Sequence, residues 1–281
     1  MNKQNIFLIL STILLLCGCS KKENDLELSN IHGKVKSIRE ISYQAIGNQD
    51  TIVKGEVVMS SEITNLYAQY NTEGNQTLII NYDNLGEQLD KWIFKYNAKG
   101  ELLGGCYYHK DNSLLDSTSY IKDVKGRVLE YQHFFADGKL KFKNTYTYNR
   151  KGNVLTDKIF DHENLLYSTT KYTYKKNNVI KDENFGRSNE LKYYSTYIYD
   201  KNNNLIQQII YNGDSTLNTQ GTYAYNENND IVKQITKIPD EDEVTYTYSY
   251  KYDEQKNWIQ KITFINNSAA YITVRQIEYY Q

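Results

Sequence analysis

The chain has 281 residues, with 33 Lys and Arg against 34 Asp and Glu, so its charge is close to balanced. This balance gives no electrostatic support for binding nucleic acid or an anionic membrane surface. With 28 Tyr and one Pro, the composition is typical of β-strands rather than helices. The length allows one repetitive domain or two compact ones.

Residues 1–18 have the three parts of an export signal. Lys3 lies in a short polar start, an apolar run covers Ile6 to Leu16, and Gly18 is the small residue at the exit. The apolar run has 11 residues, which is too short to span a bilayer. We expect this segment to be a signal peptide that the mature protein lacks.

The exit from the signal, Leu16-Cys17-Gly18-Cys19, resembles the lipobox of bacterial lipoproteins. In that family the cysteine thiol takes a diacylglyceryl group and a peptidase cuts directly before it. The resemblance implies that Cys19 is lipidated, becomes the first mature residue and anchors the chain to a membrane. The alternative is a plain secretory signal that is cut after a small residue and leaves Cys19 unmodified.

After the cysteine, residues 19–30 are polar enough to predict a flexible tether. No acidic residue follows Cys19 directly, which favours the outer membrane and leaves open whether the protein faces the periplasm or the cell surface. Cys106 is the one further cysteine of the mature chain, so acylation of Cys19 excludes an internal disulfide.

Residues 31–281 are predicted to form a single repetitive domain, because one pattern returns about every 26 residues. The unit has a Tyr followed by Asp or Asn, or by Lys175 after Tyr174, then two free residues, and then Gly or Asn. In every unit but the first, where Ala68 precedes Tyr70, an aromatic residue lies two places before this position and an apolar residue six places after it. The Tyr positions are Tyr70, Tyr96, Tyr148, Tyr174, Tyr199, Tyr225 and Tyr252, with Lys122 in the remaining slot.

The repeated segment is typical of a type I turn, such as Asn97-Ala98-Lys99-Gly100, whose last residue must tolerate positive φ. If the turn closes a hairpin with a bulge, Tyr148 pairs with Val154 and Tyr225 with Ile231. Lys256 replaces the expected Gly or Asn and predicts a distorted last turn.

Two strands and two turns per unit predict an all-β fold, a long antiparallel meander of repeated hairpins. So many strands cannot stay flat, and we expect the sheet to curl or coil on itself with tyrosines lining the inner side. A closed up-and-down barrel is the alternative. An outer-membrane barrel is not expected, because the alternating lipid-facing aliphatic residues are missing.

The pattern in Tyr148-Asn149-Arg150-Lys151-Gly152-Asn153 resembles that of the YD-repeat proteins, from about Tyr43 to Gln281. In that family strands spiral into a shell or an extended sheet, and the repeats are associated with carbohydrate binding. The longer period and the lack of a toxin domain depart from the large toxin members. The chain is more similar to short YD-type lipoproteins of Bacteroidota.

No catalytic motif, phosphate loop or metal-ligand spacing is evident, so we expect no enzyme activity, cofactor or metal. The aromatic candidates for ligand contact are Trp92, Tyr107, Tyr108 and Trp258, although a tyrosine stripe also serves to hold a sheet together. The leading hypothesis is a non-enzymatic envelope lipoprotein whose scaffold binds a glycan or a protein partner. The alternatives are a structural or assembly factor without a small ligand and, third, a glycan-active enzyme.

Overall fold

A computed structural model describes residues 23–47, 51–60, 63 and 65–281. The predicted signal peptide, the proposed lipidation site Cys19, and residues 20–22 of the predicted tether lie outside the described residues. In the described part the chain folds into one short helix followed by strands alone. The prediction of an all-β fold is therefore confirmed.

The helix α1 covers Asp25–Leu28, and nineteen strands follow it in the described residues. The strands are β1 (Val35–Ile46), β2 (Val53–Val57), β3 (Asn65–Tyr70), β4 (Gln76–Tyr82), β5 (Gln88–Tyr96), β6 (Leu102–His109), β7 (Leu114–Lys122), β8 (Val128–Phe135), β9 (Leu140–Tyr148), β10 (Val154–Asp161), β11 (Leu166–Lys175), β12 (Asn178–Gly186), β13 (Leu191–Tyr199), β14 (Leu205–Asn212), β15 (Leu217–Tyr225), β16 (Ile231–Lys237), β17 (Val244–Tyr252), β18 (Trp258–Ile265) and β19 (Ser268–Tyr279).

The sheet is a closed barrel of eighteen antiparallel strands. From β3 to β19 each strand pairs with the next, and β1 closes the ring by pairing with both β19 and β3. Ile38, for example, lies opposite Ile277 on one side and Ala68 on the other. The short β2 pairs with β1 and lies outside the ring. The expectation of an open, coiled meander is thus wrong, and its alternative, the closed barrel, is confirmed. The reason is that β1, the strand that closes the ring, precedes the repeats, and the repeat pattern carries no information about this strand.

The hairpin turns have the predicted geometry. Tyr148 lies opposite Val154 and Tyr225 opposite Ile231, each with a register shift at the pair. The side chain of Asn149 accepts hydrogen bonds from the backbone amides two and four residues on, at 2.9 and 3.0 Å. Gly152 has φ +89°, the left-handed conformation that glycine adopts without steric cost. These bonds explain why Asp or Asn begins the turn and why Gly or Asn ends it.

Two turns differ from the expectation. Lys256 adopts φ +66°, and its turn has the same Asp253 side-chain bonds as the others, so the predicted distortion is absent. The lysine accepts the strained backbone because the side-chain bonds fix the loop around it. In the Tyr174 unit the loop is two residues long, with Lys176 at φ +58°, and Asn178 begins β12 opposite Lys175.

The residues before β1 lie against the inner wall at one mouth of the barrel. Leu26 is 4% exposed and packs in a cluster with Ile38, Ala68 and Tyr70. Its amide donates to the Gly74 carbonyl in the β3–β4 turn, at 3.2 Å. The same short segment also bonds to the β15–β16 turn on a distant part of the ring, so it crosses the mouth, and the face on which Leu26 packs is the inner one. The tyrosines of the repeat therefore line the inside.

The same segment reaches a second, distant part of the rim. The side chain of Asn30 donates to the Asn228 carbonyl in the β15–β16 turn, at 2.8 Å. Four residues of chain thus connect turns that are separated by the strands β3, β1, β19, β18, β17 and β16 along the ring. Residues 23–30 were expected to be part of a flexible tether, but a capping box at Asn24 and the burial of Leu26 order them.

The outer wall carries many charged side chains. Exposed lysines alternate with other residues on its strands at Lys95, Lys158, Lys171, Lys175, Lys192, Lys233 and Lys251. A lysine facing lipid near the middle of a bilayer costs about 2 to 4 kcal/mol. In the described residues the same wall also exposes apolar side chains such as Ile93, Ile121 and Ile198, and the lysines are the part of it that disfavours lipid. No helix in the described part is long and apolar enough to cross a membrane.

Candidate functional site

The four aromatic candidates lie in three different places. Trp92 and Tyr107 stack on adjacent strands of the inner wall, with ring centroids 4.7 Å apart. Tyr108, the next residue on β6, faces outward, where the Lys91 amine lies 5.5 Å from the centre of its ring. Trp258 is on β18, several strands away along the ring. The structure brings only Trp92 and Tyr107 together.

A groove of about 260 Å³ opens on the inner wall beside Trp92. Gly104 is one of its lining residues, and the next residue, Gly105, lies opposite Phe94 and Thr118 on the neighbouring strands. The lining residues are Ile79, Trp92, Phe94, Leu102, Gly104, Thr118, Tyr120 and Tyr131. The sequence signal for this groove was the pair of glycines inside a strand, a pattern that often marks a bulge or a close approach.

Gly104 fixes the local shape of β6 next to this groove. Its φ is +149°, and a Cβ atom there would lie 2.0 Å from the Thr118 carbonyl oxygen. Any other residue would push β6 and β7 apart. The backbone amide of Gly105 also donates to the Thr118 hydroxyl, at 3.0 Å. The two strands are therefore held close together on one side of the groove.

Most of the tyrosine hydroxyls with a described bond serve to join repeat units. The hydroxyls of Tyr96, Tyr148 and Tyr225 each donate to a backbone carbonyl twenty residues earlier, at 2.6, 2.5 and 2.8 Å. The acceptors are Gln76, Val128 and Leu205, each at the start of the returning strand of the preceding unit. Hydroxyls used in this way are not available as donors to a ligand.

Lys122 occupies the slot in which the other units have tyrosine, and it makes the equivalent bond. Its amine donates to the Leu102 carbonyl, also twenty residues earlier, at 2.7 Å. A long side chain with a terminal donor is thus what the position requires. The repeat pattern indicates this position, and it does not indicate the carbonyl group that accepts the hydrogen bond.

Two carboxyl groups are buried deeper on the inner wall. Burial raises the pKa of Asp157 to about 6, although the Asn144 amide that donates to it at 2.9 Å acts in the opposite direction. Burial also raises the pKa of Asp182, whose carboxylate accepts a hydrogen bond from the Tyr197 hydroxyl. Each acid is hydrogen-bonded to a neutral partner on an adjacent strand of the inner wall.

The cations of the inner wall differ in how they are compensated. The Lys141 amine lies 3.1 Å from the Asp116 carboxylate, and the ring of His133 lies 3.2 Å from the same oxygen, without the alignment of a hydrogen bond. The Arg275 guanidinium donates to the Glu40 carboxylate at 2.8 Å. In the described residues no carboxylate oxygen lies within ion-pairing distance of the Lys261 amine.

Two of these basic side chains, those of Arg275 and Lys261, lie next to the ring of Trp258. The Arg275 guanidinium lies 3.4 Å from the centre of its ring, and the Lys261 amine lies 5.1 Å from it. Tyr250 packs on it with a centroid separation of 6.1 Å. The ring therefore serves as a cation-contacting surface in this structure. Among the described residues no group of three or more His, Cys, Asp or Glu side chains is arranged to hold a metal ion.

No protein-family model and no curated protein matches the chain. Solved structures with some likeness include a porin-like protein from Bacteroides uniformis, with 14% identity, 87% of this chain and 96% of that chain covered, and a TM-score of 0.45. A porin-like protein from Bacteroides vulgatus has 9% identity, coverages of 88% and 98%, and a TM-score of 0.31. The Photorhabdus luminescens Tc holotoxin pore has 13% identity and a TM-score of 0.28, over 80% of this chain and 15% of that one. With TM-scores below 0.5, these likenesses carry no argument about function.

Proposed function

We propose that the chain is a non-enzymatic lipoprotein of the bacterial cell envelope, in which the barrel acts as a structural or assembly scaffold. The observation that carries the proposal is the use of the repeat's hydroxyls. Tyr96, Tyr148 and Tyr225 donate to the main chain of the preceding unit, so the most repeated chemical group of the sequence stabilises the fold. A stripe of tyrosines offered to a ligand would have its hydroxyls free.

Attachment to the envelope rests on the leader and on the outer wall. The lysines of the outer wall disfavour lipid, so the barrel needs a separate anchor to stay at a membrane, and Cys19 would supply it. Glu23, the first described residue, is four residues after Cys19, a distance of about 14 Å at full extension. A lipid on Cys19 would thus hold the mouth that contains α1 close to the membrane surface.

Fractionation of cells tests the anchor. The Cys19→Ser variant should move from the membrane fraction to the soluble fraction, and Cys106→Ser should stay with the membrane. Cys106 is a matched control because it is in β6, within the barrel wall. If the Cys19→Ser variant stays in the membrane fraction, the lipoprotein assignment is wrong.

Crosslinking in intact cells tests the scaffold role. We expect the full chain to crosslink reproducibly to one envelope protein and to co-purify with it. Exchange of the outer-wall lysines Lys171 and Lys175 for Glu should weaken this association, while the inner-wall exchange Thr170→Ser should leave it unchanged. Absence of any stable envelope partner, together with an unaltered envelope in a strain that lacks the protein, would contradict the proposal.

A second candidate function is binding of a glycan within the barrel. The observation that favours it is the groove beside Trp92, where four aromatic rings surround a gap in the wall. Aromatic faces stack on sugar rings, so a neutral glycan is the matching ligand. A glycan array with the full chain tests this function. Binding that is lost in Trp92→Ala and kept in the outward-facing control Tyr108→Ala would support it, and no binding would exclude it.

A further inference from the structure

Lys261 is a largely buried cation on the inner wall of the barrel. It lies on β18, opposite Tyr250 of β17 and Thr273 of β19, and its side chain shares the inner face with both. Its amine is 5.1 Å from the ring of Trp258 and 5.9 Å from the ring of Tyr248. No carboxylate within ion-pairing distance compensates it in the described part of the chain.

The nearest carboxylates bind other groups. Glu40 on β1 accepts a hydrogen bond from Arg275 on β19. Asp230, at the end of the β15–β16 turn, accepts hydrogen bonds from the Tyr252 hydroxyl at 2.9 Å and the Asn30 amide at 3.5 Å. Glu40 and Asp230 both act on the Lys261 amine through space, but neither carboxylate lies within ion-pairing distance of it, so the amine has no direct anionic partner in the described residues.

Burying a charge without a partner is unfavourable. Burial lowers the pKa of Lys261 and the positive charge of Arg275 adds to this shift, while the negative charges of Glu40 and Asp230 act against it. Two aromatic rings contact the amine, which compensates part of the cost of its burial. An anion in contact with the amine would compensate the remainder.

We propose that Lys261, with Arg275 beside it, forms a binding site for an oxyanion, the carboxylate or phosphate group of a ligand that enters the barrel. Lys261 supplies a charge that has no direct ion-pair partner, and Arg275 has further guanidinium donors besides the Nε that binds Glu40. Trp258 and Tyr250 border the site with apolar ring surface. This site goes beyond the scaffold function and does not depend on the groove at Trp92.

Calorimetric titration of the purified full chain tests the site with three probes: inorganic phosphate, glucuronate and glucose. We expect saturable binding of at least one of the two anions and none of glucose. Glucuronate alone would identify a sugar acid, phosphate alone a phosphorylated ligand, and both a general oxyanion site. Binding should weaken at least tenfold in Lys261→Met and remain in Lys261→Arg. The control is Lys251→Met, which removes an exposed lysine of the neighbouring strand.

Thermal melting distinguishes a ligand site from a structural lysine. In buffer without polyvalent anions, Lys261→Met should melt at a higher temperature than the wild type, because it removes a buried charge that has no direct ion-pair partner. Addition of the anion that binds should raise the melting temperature of the wild type and not that of the variant. A lower melting temperature for Lys261→Met, equal anion binding by both proteins, or no anion binding at all would overturn the proposal. The membrane fractionation of Cys19→Ser is independent of each of these outcomes.

Discussion

The clearest consequence of the hydroxyl bonds between repeat units concerns Tyr225. Its hydroxyl donates to the Leu205 carbonyl at 2.8 Å, and burial raises its pKa to about 12. Tyr225→Phe removes this one bond and keeps the ring. A hydrogen bond of this kind contributes about 1 kcal/mol to the free energy of unfolding. With a urea m-value near 3 kcal/mol/M, the unfolding midpoint should fall by about 0.3 M.

Urea unfolding followed by circular dichroism measures this change. The matched control is Tyr167→Phe, because the Tyr167 ring is 64% exposed on the outer wall. Lys122 gives a second comparison: Lys122→Met should lose a similar free energy, and Lys122→Tyr should retain most of it. Equal midpoints for Tyr225→Phe and Tyr167→Phe would refute the argument that the hydroxyls join the units.

Three further outcomes follow from the turns and from the buried acids. Gly152→Val should lower the free energy of unfolding by about 2 kcal/mol, because valine disfavours positive φ, and Lys151→Val should change it little; equal losses in urea unfolding would refute the turn assignment. Lys256→Gly should raise it by about 1 kcal/mol in the same assay, since glycine relieves the left-handed strain, and a loss would show that the lysine side chain contributes. Burial raises the pKa of Asp157 from its ordinary 3.8 to about 6, so the folded state binds this proton more tightly than the unfolded state. The protonated Asp157 therefore adds to the free energy of unfolding at low pH, and this contribution falls as pH rises from about 4 to 6 and is lost above that range. The loss is about 3 kcal/mol, and Asp157→Asn should reduce the pH dependence of stability; an unchanged pH profile would contradict this.

The local structure of the repeats can be predicted from the sequence because each repeated residue type has a local physical cause. Asn149 and Gly152 satisfy requirements of a single turn, which involve bonds over four residues or fewer. The pairing of Tyr148 with Val154 follows from the same turn. Lys256 shows the limit of this reasoning, because the side-chain bonds of the turn hold even a residue that disfavours positive φ.

Closure of the barrel depended on contacts that no local pattern contains. β1 lies between β19 and β3, and its partners, such as Ile277 for Ile38, are far away in sequence. The ordering of the residues around Leu26 likewise comes from packing against the inner wall rather than from their polar composition. The groove at Trp92 and the charge at Lys261 each required knowledge of which strands are neighbours. The sequence indicates Trp92 as an aromatic candidate, and no pattern in it distinguishes Lys261 from the other lysines.

Closing the ring also determines how another protein can dock. An open sheet offers unpaired amides and carbonyls at its edges, to which a partner can add a strand. In the eighteen-stranded ring both sides of every strand are paired with a neighbour. A partner must therefore recognise side chains and turns, and strand addition is confined, within the described residues, to β2, which pairs with β1 alone. Substitutions on the outer wall or in the turns can therefore change what the molecule presents to a partner without changing the hydrogen bonds of the sheet.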